Sequence, residues 1–103
     1  MKKAIKHDSN KPRTDLLPVI PLLKTSEVFG YGANEYDDYN YCKGDGLKWS
    51  RMYGACLRHL FAWFNKEDFD ESGFHHLYHA LCELLMLCHN IELGHKVQDD
   101  RPA

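Results

Sequence analysis

Residues 73–92 read GFHHLYHALCELLMLCHNIE. Leu77, Leu81, Leu84, Cys88 and Ile91 recur in alternating steps of four and three, the rhythm of one face of an α-helix. Around residues 84–88 the pattern is apolar on every side, which requires burial on more than one side. The helix is expected to run from about Gly73 or Phe74 to Glu92, with Gly94 closing it. Upstream, Ser50 suits an N-cap, and Leu57, Leu60, Phe61 and Phe64, with Trp63 beside them, mark one apolar face through Phe64. Two patterned helices joined by a short connection pack as an antiparallel pair.

Working outward, Pro21 fits the first turn of a short helix reaching about Phe29, with Gly30 and Gly32 ending it. Residues 33–43 then read as a helical turn followed by a long loop. Residues 1–18 are an irregular basic arm, with Pro12, Pro18 and a turn at Asp8-Ser9-Asn10. Residues 95–103 form a polar tail that is expected to fray. No stretch alternates like a strand. The expected fold is all-α, a small helical bundle of two long antiparallel helices, a short N-terminal helix and the arm, in one domain over residues 1–103.

Composition narrows the function. A 12.0 kDa chain with 44% apolar residues supports only a small core with a large surface, so a homo-oligomer is expected. A net charge of −2 and a pI near 6.4 argue against a duplex nucleic-acid binder. The charge is uneven, with Lys2, Lys3, Lys6, Lys11 and Arg13 in the arm and acids gathered at 35–38 and 67–71. Cys42, Cys56, Cys82 and Cys88 form no C-x-x-C pair and read as small buried thiols of a reducing, cytoplasmic protein. The most apolar stretch, Leu77 to Cys88, is too short to span a membrane and carries His79 and Glu83.

The connection between the long helices carries Glu67, Asp68, Asp70 and Glu71, and His75, His76 and His79 follow it directly. Acids and imidazoles at one helix corner can bind a divalent cation or move protons. His76, His79 and Glu83 share one stripe, while Arg51, Arg58 and His59 share a face with Ala55 and Ala62. If the stripes meet, Arg58, His59, His76, His79 and Glu83 line one polar seam whose groups must bind each other, water or a ligand. The plainer reading is a polar helix junction, with Glu67, Asp70 and Glu71 only favouring the following helix dipole. Lys11 and Arg13 could grip phosphates or simply be solvated. Tyr31, Tyr36, Tyr39, Tyr41 and Trp49 crowd the loop region, where aromatics stack on a base or pack in an interface. No Walker A loop, G-x-G-x-x-G, G-x-S-x-G or H-E-x-x-H motif is present.

Taken together, Lys6-x-Asp8-x-x-Lys11-Pro12-Arg13, Leu16-Leu17-Pro18, Phe29-Gly30, Ala33-x-x-Tyr36, Asn40 and Lys43-Gly44 form one half of a family pattern. Ser50-Arg51, Leu57-Arg58-His59-Leu60-x-Ala62-Trp63 and Glu67-Asp68-x-Asp70-Glu71-Ser72-Gly73-x-x-His76-Leu77-x-His79-Ala80 form the other. The chain resembles the dATP/dGTP diphosphohydrolase N-terminal domain family, common in bacteriophages and related to MazG-type all-α nucleotide pyrophosphohydrolases. The resemblance implies an oligomeric, phage-encoded enzyme of the host cytoplasm. With Mg²⁺ or Mn²⁺ it would cleave a purine dNTP to the dNMP and pyrophosphate. It implies Glu67, Asp70, Glu71 and His76 as metal ligands, and Glu71 and His79 as catalytic groups. Lys6, Asp8, Lys11, Arg13, Tyr36, Asn40, Arg58 and His59 would bind the nucleotide. The paired E-x-x-E and E-x-x-D helices of MazG-type enzymes are not visible here. His76 and His79 stand in the second helix, leaving Glu83 as its one internal acid. The alternative is a non-catalytic protein that sequesters a nucleotide or a cyclic-nucleotide immune signal.

Overall fold

The computed structural model describes residues 2–103 and contains three α-helices: α1 (Val19–Glu35), α2 (Trp49–Phe64) and α3 (His76–Glu92). Short 3-10 turns at Thr14–Leu16, Asn40–Cys42 and Lys96–Gln98 complete it, and no sheet forms among the described residues. α2 and α3 are antiparallel: His59 meets His76 near the connection, while Asn90 Nδ2 lies 3.7 Å from Met52 Sδ at the far end. α1 packs on α3. No helix is long and apolar enough to cross a membrane.

α1 corrects the expectation of a short helix, since it continues through Gly30 and Gly32 to Glu35. A Cβ at either glycine would meet nothing within 4 Å, so neither is there for close approach. Two helical glycines cost about 1 kcal/mol each. Edge contacts of Phe29 with Tyr41 and of Tyr31 with Phe74 anchor this half of the helix and offset that cost.

α2 ends without a glycine. Lys66 takes the left-handed conformation (φ 73°), its N–H donates to Trp63 O, and Glu67 N–H donates to Ala62 O. This pair of bonds is a Schellman ending, and it turns the chain back toward α3. The connection then folds on itself. Asp70 N–H donates to Phe74 O, Gly73 N–H to Asp70 O, and Gly73 sits at φ 89°, where a side chain would be strained. α3 starts at His76, two or three residues later than expected, because His75 Nδ1 accepts from Leu77 N–H and serves as its cap.

The apolar faces are a second correction. The buried side of α2 is Trp49, Met52 and Cys56, whereas Phe61 and Phe64 are 66% and 82% exposed. On α3 the buried positions include His76, Ala80, Cys82 and Asn90, while Leu81, Leu84, Cys88 and Ile91 of the leucine stripe are exposed. Of the four cysteines expected to be buried thiols, Cys56 and Cys82 are, whereas Cys42 is half-buried in its loop and Cys88 is exposed. The radius of gyration, 17.4 Å, exceeds the roughly 13 Å usual for about 100 residues. Hydrophobic periodicity marks which side chains share a face, not whether that face is buried within the chain.

Residues 95–103 are docked, against expectation. His95 Nε2 lies 3.2 Å from Cys42 O, Gln98 Nε2 donates to Gly46 O, and the Arg101 guanidinium lies 5.0 Å from the Trp49 ring centroid. Asp100 accepts from the backbone N–H and hydroxyl of Ser50, so a carboxylate from the tail caps α2. The N-cap position itself belongs to Lys48. Asn90, with no exposed surface, donates to Met86 O and Tyr41 O. A Cβ at Gly46 would lie 2.0 Å from its Oδ1, which is why the loop needs glycine there.

Candidate functional site

The expected polar seam exists, but it divides into two places that share His79. The first is the corner where α2, the 67–75 hairpin and α3 meet. His59 Nδ1 lies 2.8 Å from His76 Nδ1, and His76 Nε2 lies 2.7 Å from Glu67 Oε2. A carboxylate there makes His76 Nε2 the protonated nitrogen, leaving Nδ1 to accept the Nδ1–H of His59. His79 Nε2 lies 2.8 Å from Ser72 Oγ and 3.7 Å from Asp70 Oδ1, and its ring stacks on His59 at 4.5 Å, 5° from parallel. Ser72 N–H holds Asp70 Oδ1 at 2.9 Å.

Electrostatics keep His59 and His79 neutral and Asp70 charged. Burial, with His79, His76 and Arg58 nearby, pushes the His59 imidazole down to about 4 against the pull of Asp70. Burial and His76 also lower His79, again opposed by Asp70. Burial pushes Asp70 up, but the bonds from Ser72 and the neighbouring His79 and His59 outweigh it, so its carboxyl lies below the usual range. At neutral pH the unprotonated ring nitrogens of His59 and His79 can therefore accept hydrogen bonds or coordinate an ion.

The second place is a cleft of about 1040 Å³ between the end of α1 with its loop and the facing sides of α2 and α3. Phe29, Tyr31, Tyr36, Tyr39 and Tyr41 form one wall, and Arg51, Arg58, His79 and Glu83 stand on the other. Burial raises the Glu83 carboxyl to about 7, with Arg58 opposing the rise. Cys82 also lines the cleft, but burial and Glu83 push its thiol up to about 12, so it is a poor nucleophile.

Of the sequence candidates, His59, His76, Glu67, Asp70 and His79 come together at the corner. Tyr36, Asn40 and Arg58 line the cleft with His79. Lys6, Asp8, Lys11 and Arg13 lie in the exposed arm, and none lines the cleft. Arg13 is paired with Asp15 at 2.8 Å. Glu71 is exposed at the hairpin tip, with no hydrogen bond to a described residue. Trp49 is buried under Arg101 rather than in the aromatic wall. Sequence reasoning gave Ser72 no role, although its place two residues after Asp70 in a turn was a signal. Asp100 and Asn90 act across about fifty residues of chain, and nothing in the sequence marks them.

Comparison with curated proteins and with solved structures gives no significant match. Against family patterns, residues 1–101 match one described as dATP/dGTP diphosphohydrolase, N-terminal. That span includes both halves of the pattern quoted from the sequence. The chain thus belongs to the dATP/dGTP diphosphohydrolase N-terminal family.

Proposed function

We propose that the protein is a nucleotide pyrophosphohydrolase that cleaves a purine deoxynucleoside triphosphate to the monophosphate and pyrophosphate. One observation carries this reading: a cleft with an aromatic wall facing two arginines and a carboxyl group raised to about 7. A base stacks on the tyrosine wall, at roughly 1–3 kcal/mol per base. Arg51 and Arg58 hold the triphosphate, Arg58 by its planar fork. Glu83 accepts a proton from the attacking water, a task suited to a group that titrates near neutral pH. The water oxygen bonds to the α-phosphorus, and the bond from that phosphorus to the α,β-bridging oxygen breaks. Pyrophosphate leaves, with His79 donating a hydrogen bond to it.

The family implies Mg²⁺ or Mn²⁺, and the cleft contains donors of the right kind. Glu35 and Asp38, both with carboxylate side chains, are among its lining residues, while Asp37 beside them is tied to Lys43. Mg²⁺ takes oxygen ligands and is usually held by one or two carboxylates together with substrate phosphates. When bound it would neutralise phosphate charge and polarise the phosphoryl oxygens. Glu71 takes no part in this reading.

A homo-oligomer follows from the uncovered apolar faces. Leu81, Leu84, Leu85 and Ile91 on α3 and Phe61 and Phe64 on α2 are exposed in the single chain. Light scattering should give a multiple of 12.0 kDa, and a monomer would contradict it.

The test of function is a chromatographic nucleotide panel of dNTPs, NTPs and cyclic nucleotides, with Mg²⁺, Mn²⁺ or EDTA. A purine dNMP appearing only with metal supports the proposal. A nucleotide that leaves the free pool intact and returns on denaturation would replace it with sequestration.

A further inference from the structure

From the corner behind the cleft, we infer a site for one first-row divalent transition ion, held by His59, His76 and Asp70, that closes the junction of α2, the hairpin and α3. One donor atom from each of these residues lies within 4.8 Å of the others. Each comes from a different element: His59 from α2, Asp70 from the hairpin and His76 from α3. Two imidazole nitrogens and one carboxylate oxygen suit Mn²⁺, Fe²⁺, Co²⁺ or Zn²⁺ and not Mg²⁺, which prefers an all-oxygen shell.

The surroundings fit that donor set in three ways. Glu67 bonds His76 Nε2, the ring nitrogen away from the site, which orients the ring and keeps the Nδ1 lone pair available. Glu67 is therefore the carboxylate behind a ligand rather than a ligand itself. Ser72 fixes Asp70 through Oδ1. His79 stacks on the face of His59 and limits its rotation. The two Nδ1 atoms are 2.8 Å apart, while donors about 2.1 Å from one ion stand about 3.0–3.4 Å apart, so the rings must open slightly and the Asp70 carboxylate, within 4.8 Å of both, must close in. On binding, His59 changes tautomer: Nδ1 loses its proton to solvent and Nε2 takes one up, leaving the ring neutral. The site is distinct from the carboxylates proposed for the cleft metal, and its occupancy is measurable without turnover.

The experiment uses untagged, chelator-stripped protein titrated with Co²⁺ and followed by visible d–d absorption and by Tm. One equivalent per chain is expected, with a rise in Tm, displacement by Zn²⁺ and no displacement by millimolar Mg²⁺. Asp70→Asn and His59→Gln should abolish the absorption. Glu67→Gln, at an exposed side chain that leaves folding intact, should weaken Co²⁺ binding about 10–100-fold. His7→Ala and His95→Ala, both away from the corner, should leave the Co²⁺ absorption and its stoichiometry unchanged. Absence of a stoichiometric signal, unchanged binding in Asp70→Asn and Glu67→Gln, or ready displacement by Mg²⁺ would overturn the site.

Discussion

The corner and the cleft share His79 yet are built in opposite ways. At the corner, His59, His76 and His79 each have a partner within 3 Å, and the groups come from three elements locked by backbone bonds. Along the cleft, Arg51, Arg58 and Tyr36 are exposed, and no ion pair joins either arginine to a described residue. A satisfied network fixes geometry, whereas unpaired charges around an aromatic wall are ready for a ligand. Changes at the corner should therefore register first in stability, and changes in the cleft first in nucleotide handling.

The largest expected effect is at His76, which is 4% exposed and bonded at both ring nitrogens. His76→Ala should cost about 3 kcal/mol, read from the denaturant midpoint at unchanged m-value, because it leaves His59 and Glu67 without their partner. A loss below about 1 kcal/mol would break the contrast. Arg58→Ala should do the reverse. Nucleotide affinity should fall about 10–100-fold, roughly 1.4–2.7 kcal/mol, with Tm nearly unchanged. A collapse of Tm with unaltered binding would make Arg58 part of the scaffold.

Glu83 lies between the two regimes. Its carboxyl ordinarily titrates at 4.5 and is raised to about 7 in the fold, chiefly by burial. Between those values the folded state binds more protons than the unfolded one, so this group's contribution to stability falls as pH rises. Above pH 7 the full cost is present. Glu83→Gln should thus be more stable there by about 1–2 kcal/mol while losing turnover. Equal stability of both proteins from pH 5 to 8 would remove the burial argument. The smallest effect is at Lys66, where relieving the left-handed side chain in Lys66→Gly should add about 0.5–1 kcal/mol to stability without changing activity.

Legibility in the sequence followed the range of the interaction. The three helices and the meeting of His59, His76 and His79 were legible because spacing and a short connection dictate them. The extent of α1 was not, because Gly30 and Gly32 normally end a helix and aromatic contacts carried it on. The Schellman ending was hidden by a lysine in a glycine's place. The choice of buried face was misleading, since Leu81, Leu84 and Ile91 of the α3 stripe are exposed in the single chain while His76, Ala80, Cys82 and Asn90 are buried. Asp100 and Asn90 could not be read at all, as their partners are set by the finished fold.

The most direct measurement is hydrolysis of dATP and dGTP in heavy-oxygen-labelled water with Mg²⁺ or Mn²⁺, with mass spectrometry of both products. Attack at the α-phosphorus in this cleft predicts the label in the deoxynucleoside monophosphate, unlabelled pyrophosphate, and loss of both products in Arg58→Ala and Glu83→Gln. Label in the pyrophosphate, or nucleotide recovered intact, would contradict it.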